Sequence, residues 1–117
     1  MARGFQYNPP SVAPPGTYPF SENLQVNAGD GELQRIVLAG DVTLLPPING
    51  TDGGLLECWL MNATTGSVNL NFDDAIGVGQ NGESQPIVID ENTTAVVKMR
   101  YDGPRNLWSL DGLMDQF

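Results

Sequence analysis

The residues best suited to chemistry in this chain are a glycine-rich run, two acidic pairs and one thiol. Gly77-Val78-Gly79-Gln80-Asn81-Gly82 has the GxGxxG spacing of a dinucleotide-binding turn. Such a turn works only when it opens a helix whose N-terminus receives the pyrophosphate. Here Glu83-Ser84-Gln85-Pro86 follows, a poor helix former that also brings negative charge toward the phosphates. The run therefore reads as a flexible loop joining two strands. Asp73-Asp74 and Asp90-Glu91 have the residue types for acid–base work. Neighbours in an extended chain point to opposite faces, and both pairs lie beside turn residues, so they read as solvated strand ends. Asp52, Asp73, Asp74 and Asp102 lie near glycines or asparagines, as calcium-loop ligands do, but without the ordered spacing of an EF-hand. Cys58 sits inside the apolar run Leu55-Leu56-Glu57-Cys58-Trp59-Leu60-Met61 and reads as a small buried hydrophobe. As the single cysteine it permits no intrachain disulfide. The chain has no histidine, which excludes Ser-His-Asp and Cys-His catalysis and a histidine/cysteine zinc site. The expectation is a protein that is not an enzyme and carries no cofactor or metal. Asn49-Gly50-Thr51, Asn62-Ala63-Thr64 and Asn92-Thr93-Thr94 match the glycosylation acceptor pattern and read as ordinary polar turns.

These residues must be positioned by strands. From Gly31 onward apolar residues recur at every second position, in short runs separated by turn residues. Ser67-Val68-Asn69-Leu70-Asn71-Phe72 turns Val68, Leu70 and Phe72 toward a core. Thr94-Ala95-Val96-Val97-Lys98-Met99-Arg100-Tyr101 turns Ala95, Val97, Met99 and Tyr101 inward, with Lys98 and Arg100 outward. Leu33–Leu38, Val42–Leu45, Leu55–Met61, Ile87–Ile89 and Leu107–Leu110 complete seven predicted strands. Ala39-Gly40-Asp41 suits a tight hairpin, Pro46-Pro47 with Asn49–Gly54 a longer loop, and Asp102-Gly103 a turn before the last strand. No window carries the apolar stripe of a long helix. Seven short strands at this spacing predict an all-β fold, a β-sandwich or jelly-roll-like body over residues 31–117. In Leu55–Met61, Leu56, Cys58 and Leu60 share one face, while Leu55, Glu57, Trp59 and Met61 share the other. A strand apolar on both faces is central in its sheet or covered by another subunit.

Residues 1–30 differ in composition. Pro9, Pro10, Pro14, Pro15 and Pro19 are five of the nine prolines. Proline fixes φ and removes a donor, so this stretch is expected to be an extended arm. Phe5, Tyr7, Tyr18 and Phe20 are four of the nine aromatic residues. Aromatic side chains seek burial, so an extended segment that displays them is suited to lie on a partner's surface. Phe5, Tyr7, Pro9, Pro10, Pro14, Pro15, Tyr18 and Phe20 are therefore the expected arm contacts, the alternative being an arm folded back on its own body. Trp59, Leu113, Met114 and Phe117 are candidate subunit contacts: Trp59 lies on the second apolar face of its strand, and the apolar C-terminal residues need a docking place on their own body or on a neighbour. The net charge is −9 and is unevenly placed: residues 1–21 hold one base, Arg3, and no acid. An acidic body repels phosphate and anionic lipid, which argues against nucleic-acid and membrane partners. No apolar leader opens the chain and no run is long enough to cross a membrane, so synthesis in a cytoplasm is expected. A body this small gains from burying surface against a second copy, which makes a homo-oligomer the expected state.

The order of features resembles a known family. Gly31-Glu32-Leu33 leads to Leu38, then Gly40-Asp41-Val42-Thr43-Leu44, then a Pro/Gly loop. A Leu-rich strand ends in Met61-Asn62, a strand follows at Gly66-Ser67-Val68, and a Gly/Asn loop contains Pro86. Thr94-Ala95-Val96-Val97 leads to Tyr101-Asp102-Gly103 and Trp108. Across about residues 31–110 this is similar to the small β modules of tailed-bacteriophage virions: capsid decoration (cement) proteins, head fibres and tail-fibre tips. Phe72-Asp73-Asp74 stands where the fibre-tip form would carry a tryptophan-bearing strand. The resemblance implies a trimeric structural protein on a virion, with no catalytic residues, whose arm meets the major capsid protein. The alternative is a fibre module that binds a receptor or a carbohydrate, with Trp59 and Trp108 as stacking platforms for sugar rings.

Overall fold

The computed structural model describes residues 17–77 and 87–114. The chain is all-β, as the alternation predicts, and its strands form two sheets. They run β1 (Thr17–Tyr18), β2 (Asn23–Leu24), β3 (Leu33–Leu38), β4 (Val42–Leu44), β5 (Leu55–Asn62), β6 (Val68–Phe72), β7 (Ile87–Ile89), β8 (Thr94–Asp102) and β9 (Leu107–Met114). One sheet has five strands in the order β9-β8-β5-β3-β1, and the other has four in the order β2-β4-β6-β7. The seven strands expected from Leu33 onward are all present.

The connectivity departs from the hairpins expected at the shorter turns. Each strand from β1 to β6 lies in the opposite sheet from the one before it. Thus β1, β3 and β5 pair side by side in parallel, and so do β2, β4 and β6. The chain coils through the two sheets, and equivalent positions stack: Leu24 beside Leu44 beside Phe72 in one sheet, Ile36 beside Leu60 in the other. Ala39-Gly40-Asp41 is therefore an arch between sheets, not a hairpin. Asp41 ties this arch down by accepting a 2.8 Å bond from the backbone N–H of Asn69 in β6. Antiparallel pairing begins only with β7 on β6 and β8 on β5, and β9 returns along β8 as the one hairpin among the described strands.

The core lies between the sheets. Ile36, Leu38, Leu56, Cys58, Leu60, Ala95, Val97 and Met99 enter it from the five-stranded sheet, and Leu24, Val42, Leu44, Val68, Leu70, Phe72 and Ile89 from the other. Each aliphatic side chain of this size contributes about 1.5–3 kcal/mol by leaving water. Parity along the strands decides which residue enters: β5 alternates exposed and buried through its whole length.

The boundary placed at residue 30 moves. Thr17 and Tyr18 pair with Arg35 and Ile36, and Leu24 and Val26 are buried in the common core. Asn27 caps a short 3-10 turn, Ala28–Asp30, by accepting from the Gly29 N–H. Residues 17–30 are thus the first turn of the coil. The reason is local: in Asn23-Leu24-Gln25-Val26 the apolar residues alternate, and burying Leu24 and Val26 outweighs the extended bias of the prolines before them. Phe20 packs half-buried against the same core and belongs to the body. Phe5, Tyr7, Pro9, Pro10, Pro14 and Pro15 lie outside the described residues, as does Phe117.

Candidate functional site

The acidic pairs are turn-formers. Asp73 accepts from the Ala75 N–H at 3.0 Å, and its own N–H donates to Leu44 O at 2.9 Å. Asp90 lends its carbonyl to Thr93 Oγ1 at 2.7 Å. Of the glycine-rich run, Gly77 forms a parallel bridge with Ser109, and the remainder lies outside the described residues. Asp52 accepts from the Gly103 N–H at 2.9 Å, which ties the 51–54 loop to the β8–β9 turn. Asp102 accepts from Arg105 Nε at 2.6 Å, and this bond holds its carboxyl below the usual carboxylate range. Among the described residues no three acidic or cysteine side chains converge at metal-binding distance, and no helix is long and apolar enough to cross a membrane.

Cys58 is fully buried in β5, and desolvation, aided by the neighbouring Glu57 charge, pushes its thiol up to about 12. A thiol so placed is not a nucleophile. It should stay unmodified by a thiol-reactive disulfide dye in the native protein and react fully once urea unfolds the chain. The same shift fixes a pH dependence. The unfolded thiol ionises near ~8.5 while the folded one holds its proton, so stability falls as pH rises above that value, by up to ~1.4 kcal/mol per unit. Cys58→Ala should show a shallower alkaline decline in its urea midpoint, and equal slopes for the two proteins would refute this.

The two tryptophans separate sharply. Trp108 is 3% exposed, donates from Nε1 to Pro47 O at 3.0 Å, and meets the Tyr101 ring with centroids 5.0 Å apart. It is a core anchor and offers no face to a sugar. Trp59 is 37% exposed and stands on the outer face of the five-stranded sheet.

That outer face is the most unusual surface on the molecule. It is built by the outward residues of three neighbouring strands: Leu33, Arg35 and Val37 of β3; Leu55, Glu57, Trp59 and Met61 of β5; Thr94, Lys98 and Arg100 of β8, with Val96 of β8 buried among them. The pairing sets Arg35 beside Trp59, Val37 beside Met61, Trp59 beside Val96 and Glu57 beside Lys98. Four of the six large hydrophobic residues exposed among the described residues lie here: Val37, Leu55, Trp59 and Met61. The Arg35 guanidinium carbon lies 5.4 Å from the Trp59 ring centroid, and Trp59 Nε1 donates to a Glu57 carboxylate oxygen. The ring is thus held from two sides. At one end the face dips into a groove of about 410 Å³ lined by Glu32, Leu33, Leu55, Glu57, Lys98 and Asp111. Asp111 stands 3.9 Å from Arg100. The face thus joins an apolar patch to a charged end.

Of the residues expected to contact other subunits, Trp59 is on this face. Leu113 pairs with Val97 and packs half-buried against the core of its own body. Met114 pairs with Val96 along the backbone, and Tyr18 with Ile36. Arg35 and Val37 extend the outer face that the sequence already assigns to Leu55, Glu57, Trp59 and Met61. In Leu33–Leu38 the outward positions carry two apolar residues, Leu33 and Val37, on either side of Arg35. No protein-family model matches the chain, and no curated protein matches it.

Proposed function

We propose that this chain is a non-enzymatic structural protein of a tailed-bacteriophage virion, a capsid decoration protein. It binds between major capsid subunits through the segment that precedes β1, and it stabilises the head. It is made in the host cytoplasm and works on the capsid surface as a homo-oligomer, a trimer in the form that the resemblance over residues 31–110 implies.

The observation that carries this reading is the outer sheet face. An acidic chain that keeps Val37, Leu55, Trp59 and Met61 exposed in one patch has a surface made for a protein partner. The segment before β1 adds the aromatic residues Phe5 and Tyr7 and no acid. Several such segments held on one assembly act together, so weak individual contacts suffice for tight attachment. Removal of residues 1–16 is expected to abolish co-sedimentation with phage heads while leaving the circular dichroism of the body unchanged. The cut stops at residue 16 because Thr17 and Tyr18 are a strand of the sheet. Equal pelleting of the truncated and intact chains would overturn the assignment of the contact to this segment.

The second reading is a head- or tail-fibre module that binds a receptor or carbohydrate, and the exposed ring of Trp59 is what favours it. A saccharide that shifts Trp59 emission in the isolated protein would support that reading over decoration.

A further inference from the structure

We infer that the outer face of the five-stranded sheet, centred on Trp59, is where copies of this chain meet. The contact is a pairing of two copies through one shared face, distinct from any three-fold contact, and the inference rests on the reading above only for its biological setting.

Charge identifies the occupant. The chain has 5 bases and 14 acids. Three of the bases, Arg35, Lys98 and Arg100, lie on this face, and with the groove beside it the face holds three acids, Glu32, Glu57 and Asp111. The face is neutral, whereas the other charged residues among those described are nine acids and one base, Arg105. Two copies approaching by the acidic remainder of the described residues meet like charge, which destabilises contact. Approaching by this face they bring both signs, with cations of one copy free to meet Glu57 or Asp111 of the other.

Size and preorganisation agree. Strands β5 and β9 have eight residues and β8 has nine. With β1 at two residues and β3 at six, the five-stranded face, at ~3.3 Å per residue and ~4.8 Å between strands, covers ~520 Å² in plan. Its corrugated accessible surface is larger, and a stable pair buries about 800 Å² on each partner. At the centre, Trp59 is clamped between the Arg35 guanidinium and the Glu57 carboxylate. A ring already fixed loses little rotamer freedom on binding, which is the property of an interface anchor. Val37 and Met61 flank it at an apolar end, while Glu57, Lys98, Arg100 and Asp111 form the polar end.

The test is the solution mass of the intact chain by analytical ultracentrifugation, from about 1 µM to about 100 µM, the range that reports a weak to moderate association. The wild type is expected to sediment as an oligomer. Trp59→Ala should raise its dissociation constant about 30-fold or more, the loss typical of a central anchor. Met61→Glu, at a position 46% exposed, serves as the second variant and should also shift the mass toward the 12.6 kDa monomer without changing the circular dichroism. A wild type that is monomeric throughout, or two folded variants that keep its oligomeric mass, would overturn the inference. Because only the isolated chain is used, either result is independent of head binding.

Discussion

Trp108→Ala is expected to lower the unfolding free energy by about 3–5 kcal/mol, the usual cost of emptying a buried aromatic site. The reason lies in what the ring joins. Its Nε1 bonds Pro47 O across 61 residues of sequence, and its face meets Tyr101 on the facing strand of the β8–β9 hairpin. Gly50 closes the space from above. A Cβ there would stand 2.7 Å from Tyr101 Cγ and 2.8 Å from Trp108 Cζ2, which no side chain tolerates. The ring thus adds a packed anchor to the long loop after β4, beside the backbone bonds that Ile48 and Gly53 make to Val26 and Tyr101. Domains of this size have only about 5–15 kcal/mol of stability in all, so the variant should lie near the edge of folding. Trp108→Phe retains much of the packing and loses the bond to Pro47, and should cost about 1–3 kcal/mol. Urea midpoints followed by circular dichroism measure both. A loss below about 1 kcal/mol for the alanine variant would mean the loop is anchored elsewhere.

Asn62→Ala should cost about 2–4 kcal/mol, as much as many core truncations, although it removes a small polar side chain. Asn62 is fully buried at the end of β5, where the chain arches to β6. Its Nδ2 donates to Gly66 O at 2.8 Å and to Ile89 O at 2.9 Å, while its Oδ1 accepts from Thr64 N at 2.9 Å and Thr64 Oγ1 at 2.7 Å. Every polar valence used holds either the arch or the neighbouring strand β7. Alanine removes all four bonds, and the one to Ile89 O lies in the buried interior, while Gly66 O keeps Thr64 Oγ1 as a donor at 2.8 Å. Asn62→Asp should be worse at neutral pH, because a carboxylate would face the Gly66 and Ile89 carbonyls with nothing to donate. Thermal unfolding of both variants checks the order; an aspartate variant as stable as wild type at neutral pH would contradict it.

Asn62 also marks where sequence reading stops. Asn62-Ala63-Thr64 reads as a polar turn, which is correct as to shape and silent as to weight. The alternation in Val68–Phe72 and Ala95–Tyr101 makes the strands legible, since side-chain parity is a local property. The pairing is not local. Ala39-Gly40-Asp41 is compatible with a hairpin or an arch, and what selects the arch is the stacking of Val42 and Leu44 on Leu70 and Phe72, far along the chain. The same limit hid the first turn of the coil: Leu24 and Val26 alternate over too few residues, beside too many prolines, to stand out. The two tryptophans are equivalent by type. Only Trp59 shares the outward parity of Glu57 and Met61, and only the paired strands beside it show that Arg35 and Val37 extend the same patch.

The most direct test of the decoration role is co-sedimentation of the intact chain with purified phage heads, titrated until the pellet stops gaining protein. Saturation at a fixed ratio of this chain to the major capsid protein, lost on removal of residues 1–16, is the expected result. Pelleting no greater than that of an unrelated acidic protein, or pelleting that rises without saturation, would contradict it.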